Sequence, residues 1–331
     1  MENIPIRALA DFKHGKARVL GNEAASLWDI GEGIACFEIH TKLNSFAPAV
    51  LEALQLALDR LQGGFRGLVI GNDHERAFSV GADLLAFLGM VKACDWAGLD
   101  AYIGRGQDLF LKMKYASVPV VAAAHGLALG GGCEFMLNCN AVVAHAGLVA
   151  GLPETKVGIV PGWGGVTQLL LRSLARMPPL AAAQSVFDVV YAGGLSASAD
   201  EARKMGLLQA GDDIKISRSD LLFFARARAI AMAQAGYEAP PPASLHLGGP
   251  AAKTAIMHGV LANASAGLLS PADVAVAKAL AGVLTGGDPA VPVLEADVMR
   301  LERQAAIELS RRPATIERIE HMLKTGKALR N

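Results

Sequence analysis

The sequence predicts an α/β layered fold whose last third is helical, and three observations support this. Between residues 26 and 124, short apolar runs alternate with segments of 3.6-residue periodicity, which is typical of α/β layers. Beyond residue 250 the periodic segments are all helical. The chain has 331 residues, of which 52% are hydrophobic and 19% charged, so it can bury a large core.

The first half of the chain supplies the strands and helices of the layered part. Two apolar runs, 26–30 and 34–39, flank a Gly-Glu-Gly turn and predict a β-hairpin. Residues 49–61 carry leucines at helical spacing just after Pro48, which suits the first turn of a helix. Four further segments are predicted in order: a buried strand over 67–70, a loop over 78–84, a helix over 99–115 and a strand over 118–124.

The second half is predicted to be mainly helical. Ser198 and Glu201 have capping-box spacing for a short helix that ends at Gly206. Proline and glycine near 239–250 predict a linker. Further helices are expected over 219–236, from Ser270-Pro271 to about 284, along a stripe from 294 to 305, and over 315–324.

These elements suggest three parts. A polar lead-in covers 1–24, the α/β core covers 25–215, and a helical C-terminal region covers 216–331. We expect the last part to serve packing and oligomerisation rather than chemistry.

Composition excludes several classes of protein. Lys plus Arg and Asp plus Glu number 31 each, so no net charge attracts nucleic acid or an anionic membrane. The N-terminus has no apolar signal core, and no apolar run reaches about 18 residues, so we expect a cytoplasmic protein. Four irregularly spaced cysteines predict reduced thiols rather than disulfides or a zinc site.

The stretch 122–154 concentrates the candidate chemistry. Three glycines, 130–132, follow a strand and open a helix-compatible segment, so backbone N–H groups can approach an oxygen without an intervening Cβ. Glu134 follows almost at once, and Glu154 lies twenty residues further on, behind Pro153. Backbone donors beside two carboxylates suggest acid–base chemistry on a carbonyl compound.

Common catalytic motifs are absent from the sequence. There is no G-x-G-x-x-G after a strand, no P-loop, no G-x-S-x-G elbow and no H-E-x-x-H helix. A triple glycine alone is more often structural than functional. Two further features add weight to it: the glycine turn FSVGADL at 78–84 and the sequence VPGWGGV at 160–166.

Taken together, FSVGADL, HGLALGGGCE and GLPETKVGIVPGWGG resemble the crotonase superfamily, whose parent activity is enoyl-CoA hydratase. The resemblance covers about 26–210 and implies a crotonase-like (ClpP/crotonase) spiral of ββα units with a helical C-terminal region. The C-terminal portion, ending in IEHMLKTGKALRN, resembles the hydratase module that closes certain long bacterial 3-hydroxyacyl-CoA dehydrogenases. The dehydrogenase half is absent from this sequence, consistent with the missing dinucleotide fingerprint, and two alternatives stay open: a stand-alone protein, or one part of something longer.

The resemblance implies a role for each matching residue. Backbone N–H groups of Ala82 and Gly131 would form an oxyanion hole around the thioester oxygen of an acyl-CoA. Glu134 and Glu154 would hold one water between them. Glu134 would activate it for attack at Cβ, and Glu154 would deliver a proton to Cα.

Binding residues are implied in the same way. The matched positions Ala82, Asp83, Leu84 and Leu85 would contact coenzyme A, which enters as part of the substrate, and Gly131 and Trp163 would contact the acyl group. For the CoA phosphates, three lysines are candidates, each with a solvated lysine as the alternative: Lys42, Lys324 and Lys327. No metal or redox cofactor is implied.

Four residues depart from the family pattern or invite a second interpretation. Asn140 stands where the family usually has Asp, and we expect a structural hydrogen-bonding role at a helix end. Trp163 replaces a small residue; we favour core packing over a role in shortening the accepted acyl chain. Val166 puts the local backbone geometry in doubt. His125, at the end of an apolar strand, is expected to be a satisfied core histidine.

The expected function is therefore reversible hydration of a trans-2-enoyl-CoA to a 3-hydroxyacyl-CoA, as in fatty-acid β-oxidation. Two alternatives stay open: an enoyl-CoA isomerase or acyl-CoA hydrolase on the same fold, and a CoA-binding or assembly module without turnover. The resemblance also implies a homo-oligomer, a trimer or hexamer, with a 3-hydroxyacyl-CoA dehydrogenase as a possible partner. No nucleic-acid or membrane partner is expected.

Overall fold

The structure is a computed structural model that describes residues 8–13, 17–286 and 290–331. Contacts between Cα atoms divide the chain into two units. The first comprises the chain up to Ala82, Asp108–Ala150 and Ser196–Pro241. The second comprises Asp83–Gln107, Gly151–Leu195 and Pro242–Asn331.

A seven-stranded sheet is the centre of the first unit. Its first two strand pairs are antiparallel, and the four pairs that follow are parallel. The predicted hairpin is confirmed, since Trp28 pairs with Cys36 across it. In spatial order the strands are β1 (Arg18–Gly21), β2 (Ala25–Asp29), β3 (Ile34–Ile39), β4 (Gly67–Ile70), β6 (Val120–Ala124), β8 (Ala141–His145) and β10 (Asp213–Lys215).

One face of this sheet is covered by helix α9, Leu221–Gln234, which contacts β4, β6 and β8. Its small residues Ala225 and Ala229 are fully buried with Val69 and Val121 of the strands, which allows the helix to lie close to the sheet. We predicted this helix as part of the C-terminal region, 216–331, whereas its contacts assign it to the unit that contains the sheet.

A second sheet carries the glycine motifs. It consists of β5 (Ala77–Ser79), β7 (Leu127–Leu129) and β9 (Val149–Gly151), with β5 and β7 parallel. The segment 78–84, expected as a loop, therefore begins as a strand. Strand pairing at its start brings the 78–84 motif beside the segment that leads into the triple glycine.

Other helices of the first unit agree with the sequence pattern. The helix predicted over 49–61 is α2, and Pro48 occupies its first turn. Ser198 caps α8 by accepting from Glu201 N–H, while the Glu201 carboxylate accepts from Ala197 N–H, one residue before the usual capping-box position. The helices are α1 (Leu9–Phe12), α2 (Pro48–Leu61), α5 (Gly131–Leu137) and α8 (Ala199–Lys204), with α4 (Trp96–Lys114) passing from the second unit into the first.

The second unit is mainly helical, as the sequence indicates for the C-terminal region. The capping box at Ser270 and Asp273 is present. The segment 248–250, expected as part of a linker, instead starts α10, because Pro250 fits a first helical turn. The helices are α3 (Leu84–Lys92), α6 (Gly165–Leu174), α7 (Pro179–Ala192), α10 (Gly249–Ser265), α11 (Pro271–Thr285), α12 (Glu295–Ser310) and α13 (Pro313–Thr325), with a short strand pair β11 (Ser244–Leu245) and β12 (Val293–Leu294).

The predicted lead-in, 1–24, falls partly on 1–7 and 14–16, which lie outside the described residues. Its described part is more structured than a polar lead-in. Strand β1 adds an edge to the main sheet, and Leu9 is fully buried in its core. The backbone N–H groups of Leu9 and Ala10 donate to the Asp73 carboxylate, which ties this segment to the loop after β4. A strand of four residues gives little periodicity to recognise in a sequence.

No helix in the described part of the chain is long and apolar enough to cross a membrane.

Candidate active site

Two glycine bends of the first unit, the first at Gly81 and the second at 130–132, touch each other through their backbones. Gly81 has φ +88°, and a Cβ built there would lie 2.5 Å from the Gly131 nitrogen. A Cβ on Gly132 would overlap the Ser79 carbonyl group. Both positions therefore require glycine, the first also for its left-handed conformation. The structure thus brings the motif at 78–84 against the triple glycine.

Hydrogen bonds fix the first bend. Phe46 N–H donates to the Gly81 carbonyl at 2.8 Å, and the Ser79 hydroxyl donates to the Asn44 carbonyl at 2.7 Å. The buried Asn44 amide in turn donates to the Ala77 carbonyl at 2.9 Å. Sequence reasoning missed Asn44; its short polar side chain before a Pro-capped helix was the available signal.

The N–H groups of Ala82 and Gly131 lie at these bends. Gly131 is the first residue of α5, where an N–H has no acceptor in its own helix. In residues 8–13, 17–286 and 290–331, neither N–H is the donor of any backbone hydrogen bond that lies outside the helices and strands. Two such donors on touching backbones are what a binding site for a carbonyl oxygen needs.

Glu134 lies in the first turn of α5 and is 2% exposed. Its backbone N–H donates to the Gly130 carbonyl, so the helix begins directly at the second bend. Phe135, the next residue, packs edge-to-face on Phe46 with ring centroids 5.0 Å apart, and also lies against Phe110. This aromatic cluster holds α5, and with it the Glu134 backbone, against the rest of the first unit.

Glu154 belongs to the second unit and starts the 3₁₀ turn Glu154–Val157, directly after Pro153. The turn ends at Gly158, which has φ +84°. The Glu154 carbonyl accepts a hydrogen bond from Ile159 N–H at 3.2 Å, and its carboxylate oxygen Oε2 is buried. Its backbone is therefore held by a closed turn rather than an open loop.

Asp83, at the start of the second unit, caps α3. Its Oδ1 accepts from the N–H groups of Leu85 at 3.0 Å and Ala86 at 3.2 Å. Leu85 is 69% exposed, whereas its neighbour Leu84 is half-buried. The Tyr102 hydroxyl is hydrogen-bonded to the Asp83 backbone, and burial raises the pKa of that phenol. The Asp83 carboxylate thus has a structural role that sequence reasoning missed.

Trp163 is 3% exposed and packs edge-to-face on Tyr102, with ring centroids 5.5 Å apart. A Cβ on Gly106 would overlap the indole ring, so α4 accommodates this large side chain with a glycine. These contacts agree with the packing interpretation of Trp163. Val166 is fully buried inside α6, which begins at Gly165, so the backbone is a regular helix there.

A buried polar network that the sequence analysis missed holds the segment around Trp163. The Glu302 carboxylate accepts from the backbone N–H groups of Gly164 at 2.9 Å and Thr167 at 2.6 Å. The Gln107 amide donates to the Gly162 carbonyl at 2.7 Å. Glu302 is fully buried. A carboxylate within the apolar stripe of α12 was the signal that pointed to it.

Residues 29–236 match the family model described as enoyl-CoA hydratase/isomerase. A Bacillus subtilis (strain 168) protein named "Probable 3-hydroxyacyl-CoA dehydrogenase" is 34% identical over 328 residues, which cover 98% of this chain and 41% of that protein.

The chain belongs to the enoyl-CoA hydratase/isomerase family.

Solved structures agree with the fold of this family. A carnitinyl-CoA dehydratase from Mycobacterium thermoresistibile aligns with a TM-score of 0.66 at 18% identity, covering 92% of this chain and 91% of that one. An enoyl-CoA hydratase from Bacillus halodurans aligns with a TM-score of 0.63 at 16% identity, covering 90% of this chain and 99% of that one. The crotonase-like α/β fold and the superfamily resemblance are confirmed. The chain spans about two fifths of the length of its Bacillus subtilis relative.

The structure explains the roles of Asn140 and His125. Asn140 accepts a hydrogen bond from Val120 N–H at 2.8 Å and donates to the Lys114 carbonyl, at the C-terminal end of α4, at 2.9 Å. It therefore joins a helix end to a strand. His125 is 1% exposed, and its Nε2 lies 2.8 Å from both the His74 carbonyl and the Arg218 guanidinium. Burial and the nearby Arg218 charge lower the pKa of His125 to about 4.

The remaining candidates are surface residues. Lys42, Lys324 and Lys327 are all exposed, as solvated lysines are and as a phosphate contact also requires. Among the described residues, no group of three His, Cys, Asp or Glu side chains is able to hold a metal ion.

Proposed function

We propose that this protein is an enoyl-CoA hydratase that adds water reversibly to a trans-2-enoyl-CoA and gives a 3-hydroxyacyl-CoA. One observation carries the proposal: the N–H groups of Ala82 and Gly131, which donate to no loop or turn carbonyl among the described residues, lie on touching backbones, and the helix that starts there bears Glu134. Family membership and the second family carboxylate, Glu154, support it.

The proposed oxyanion hole acts on the thioester carbonyl. As water adds at Cβ, negative charge develops on the thioester oxygen, and hydrogen bonds from Ala82 and Gly131 stabilise it. Because both donors are backbone groups, their positions depend on the two glycine bends and not on side-chain rotamers. The contact of Gly81 with Gly131 is the structural basis for that preorganisation.

In the proposed acid–base pair, each glutamate carries out one of the two proton transfers. Glu134, as the base, removes a proton from water as its oxygen bonds to Cβ. Glu154, as the acid, gives a proton to Cα. These roles require Glu134 to be ionised and Glu154 to be protonated at the start of the reaction. A site with little water, in which the two carboxyl groups have different surroundings, can hold them in these different protonation states.

The test follows the conjugated enoyl-thioester absorbance in the presence of the intact protein. We expect hydration to give a product heavier by one water, and each of Glu134→Gln and Glu154→Gln to lower kcat by at least about 10²-fold. An isomerase would leave the product mass unchanged, and a hydrolase would release free CoA. If the protein hydrates no enoyl-CoA of any chain length, or if both variants keep the full rate, the proposal is wrong.

We further propose a cytoplasmic setting in fatty-acid β-oxidation, with a 3-hydroxyacyl-CoA dehydrogenase as partner and a homo-oligomeric assembly. The match to part of a longer protein named as such a dehydrogenase supports the partner. A hydratase product is the substrate of that enzyme class. Co-purification of a dehydrogenase from cells that produce the tagged protein, and sedimentation of the pure protein, test the two parts separately.

A further inference from the structure

The turn that carries Glu154 is anchored by helices of the second unit. On one side, the Thr155 hydroxyl lies 3.3 Å from the Tyr191 carbonyl at the C-terminal end of α7. On the other side, the Thr315 hydroxyl of α13 donates to the Gly158 carbonyl at 3.1 Å. Thr155 and Thr315 are both largely buried. The turn is therefore fixed at both of its ends by buried hydroxyl groups.

Gly158 links Thr315 to the turn that carries Glu154. The Thr315 hydroxyl donates to the Gly158 carbonyl, and the Gly158 N–H donates to the Thr155 carbonyl at 3.1 Å as it closes the 3₁₀ turn. The next N–H, that of Ile159, donates to the Glu154 carbonyl at 3.2 Å. A Cβ on Gly158 would lie 3.0 Å from Thr315 Oγ1 and 3.3 Å from Arg318 Cδ. Glycine is thus needed both for φ +84° and for the close approach of α13.

A buried guanidinium holds α13 in this position. Arg318 is 2% exposed, one turn after Thr315, and it bonds the Asp273 carboxylate at 2.8 Å and the Ser270 hydroxyl at 3.3 Å. Ser270 and Asp273 form the capping box of α11. Because a buried charge is retained at low cost only when it is paired, this arrangement strongly favours one placement of α13.

The same helix also contacts α3, the helix that follows the Asp83 cap, and Lys92 of α3 pairs with Glu320 of α13. Ile319, between these contacts, is fully buried. Helix α13 therefore touches two segments that hold proposed site residues.

We propose that Thr315 is a positioning residue for Glu154: its hydroxyl sets the Gly158 carbonyl and thereby the backbone of the turn that carries the acid. Arg318 supports it by holding α13 on the α11 cap. This inference rests on the proposed function and assigns to α13 a part in the reaction beyond packing. A displacement of about 1 Å in a catalytic group can cost up to about 10²-fold in rate, so loss of one orienting contact has a measurable effect.

The test compares Thr315→Val, which removes the hydroxyl at nearly constant volume, with Thr315→Ser, which keeps it. Thr285→Val is the matched control, because Thr285 is equally buried at 3% exposure but its hydroxyl bonds the Ala281 carbonyl of its own helix. We expect Thr315→Val to lower kcat about tenfold with KM changed less than about twofold, Thr315→Ser to restore most of the rate, and Thr285→Val to match the wild type.

Amide hydrogen exchange of the 154–159 segment gives a readout that does not need turnover. We expect the Gly158 and Ile159 amides to exchange faster in Thr315→Val and to be unchanged in Thr285→Val. Unchanged exchange and unchanged kcat in Thr315→Val would overturn the inference, as would equal losses in both Val variants. If the wild type hydrates no enoyl-CoA, the proposed function fails, and the exchange data then decide separately whether Thr315 holds the turn.

Discussion

The Glu302 carboxylate of α12 accepts a hydrogen bond from the backbone N–H of Gly164 at 2.9 Å, and its other oxygen accepts from Thr167. Gly164 precedes α6, so Glu302 supplies from a distant helix the acceptors that an N-cap side chain normally provides. The interaction joins residues 138 positions apart in the sequence.

Glu302→Gln is expected to lower the free energy of unfolding by about 1–3 kcal/mol. An amide has only one oxygen that can accept hydrogen bonds, whereas both oxygens of the Glu302 carboxylate accept them. Urea unfolding measures the change. Glu308→Gln on the same helix is the control, since Glu308 is exposed and should stay within about 0.5 kcal/mol of the wild type. Equal effects of the two substitutions would contradict the assigned role of Glu302.

Gly106→Ala is expected to destabilise the protein by about 1–3 kcal/mol, because its methyl group would overlap the Trp163 indole. The matched control is Gly89→Ala in α3, where a Cβ meets nothing within 4 Å and helix propensity predicts a gain of about 0.5–1 kcal/mol. Combining Gly106→Ala with Trp163→Phe tests the pair directly. A smaller ring should recover part of the loss, and strict additivity would show that the two residues do not interact.

How far the sequence predicts the structure depends on the distance over which each contact acts. The hairpin around 31–33 and the helix after Pro48 follow from local periodicity and turn residues, and both are present. The contact of Glu302 with Gly164 joins segments far apart, and no local pattern encodes it. The segment around Pro250 differs from the prediction for another reason: proline suits both a linker and the first turn of a helix, and here it lies in the first turn of α10.

The candidate site also combines features that are local in the sequence with features that are not. Three separate sequence motifs, each continuous along the chain, predict the glycine bends and both glutamates. The supports of those residues are tertiary: Asn44 for the first bend and Thr315 for the Glu154 turn. Sequence spacing contains no information about which distant hydroxyl meets which carbonyl.

Gly132→Ala is expected to lower kcat for hydration by at least about 10²-fold, because its methyl group would push the Ser79 backbone away and separate the two bends. Losing one oxyanion donor typically costs about 3–4 kcal/mol of transition-state stabilisation. Gly211→Ala in the same unit is the control, as a Cβ there meets nothing within 4 Å. Circular dichroism confirms folding, and acyl-CoA binding by calorimetry separates lost turnover from lost affinity. Full activity of folded Gly132→Ala would exclude the proposed oxyanion hole.

His125 is expected to make stability depend on pH. Burial and the Arg218 charge lower its pKa to about 4 in the folded protein, against an ordinary value of 6.5. Below pH 6.5 the unfolded chain therefore binds a proton that the folded protein does not, so the free energy of unfolding falls as the pH decreases from 6.5 towards 4. The loss amounts to at most about 3 kcal/mol.

His125→Asn should flatten the pH dependence of stability between pH 6.5 and 4 while lowering stability at pH 7, because it removes packing and hydrogen bonds. His258→Asn, at an exposed position on α10, should leave the profile as it is. Urea unfolding at a series of pH values measures the free energy of unfolding of both variants. An unchanged pH dependence in His125→Asn would show that another group causes the loss of stability at acidic pH.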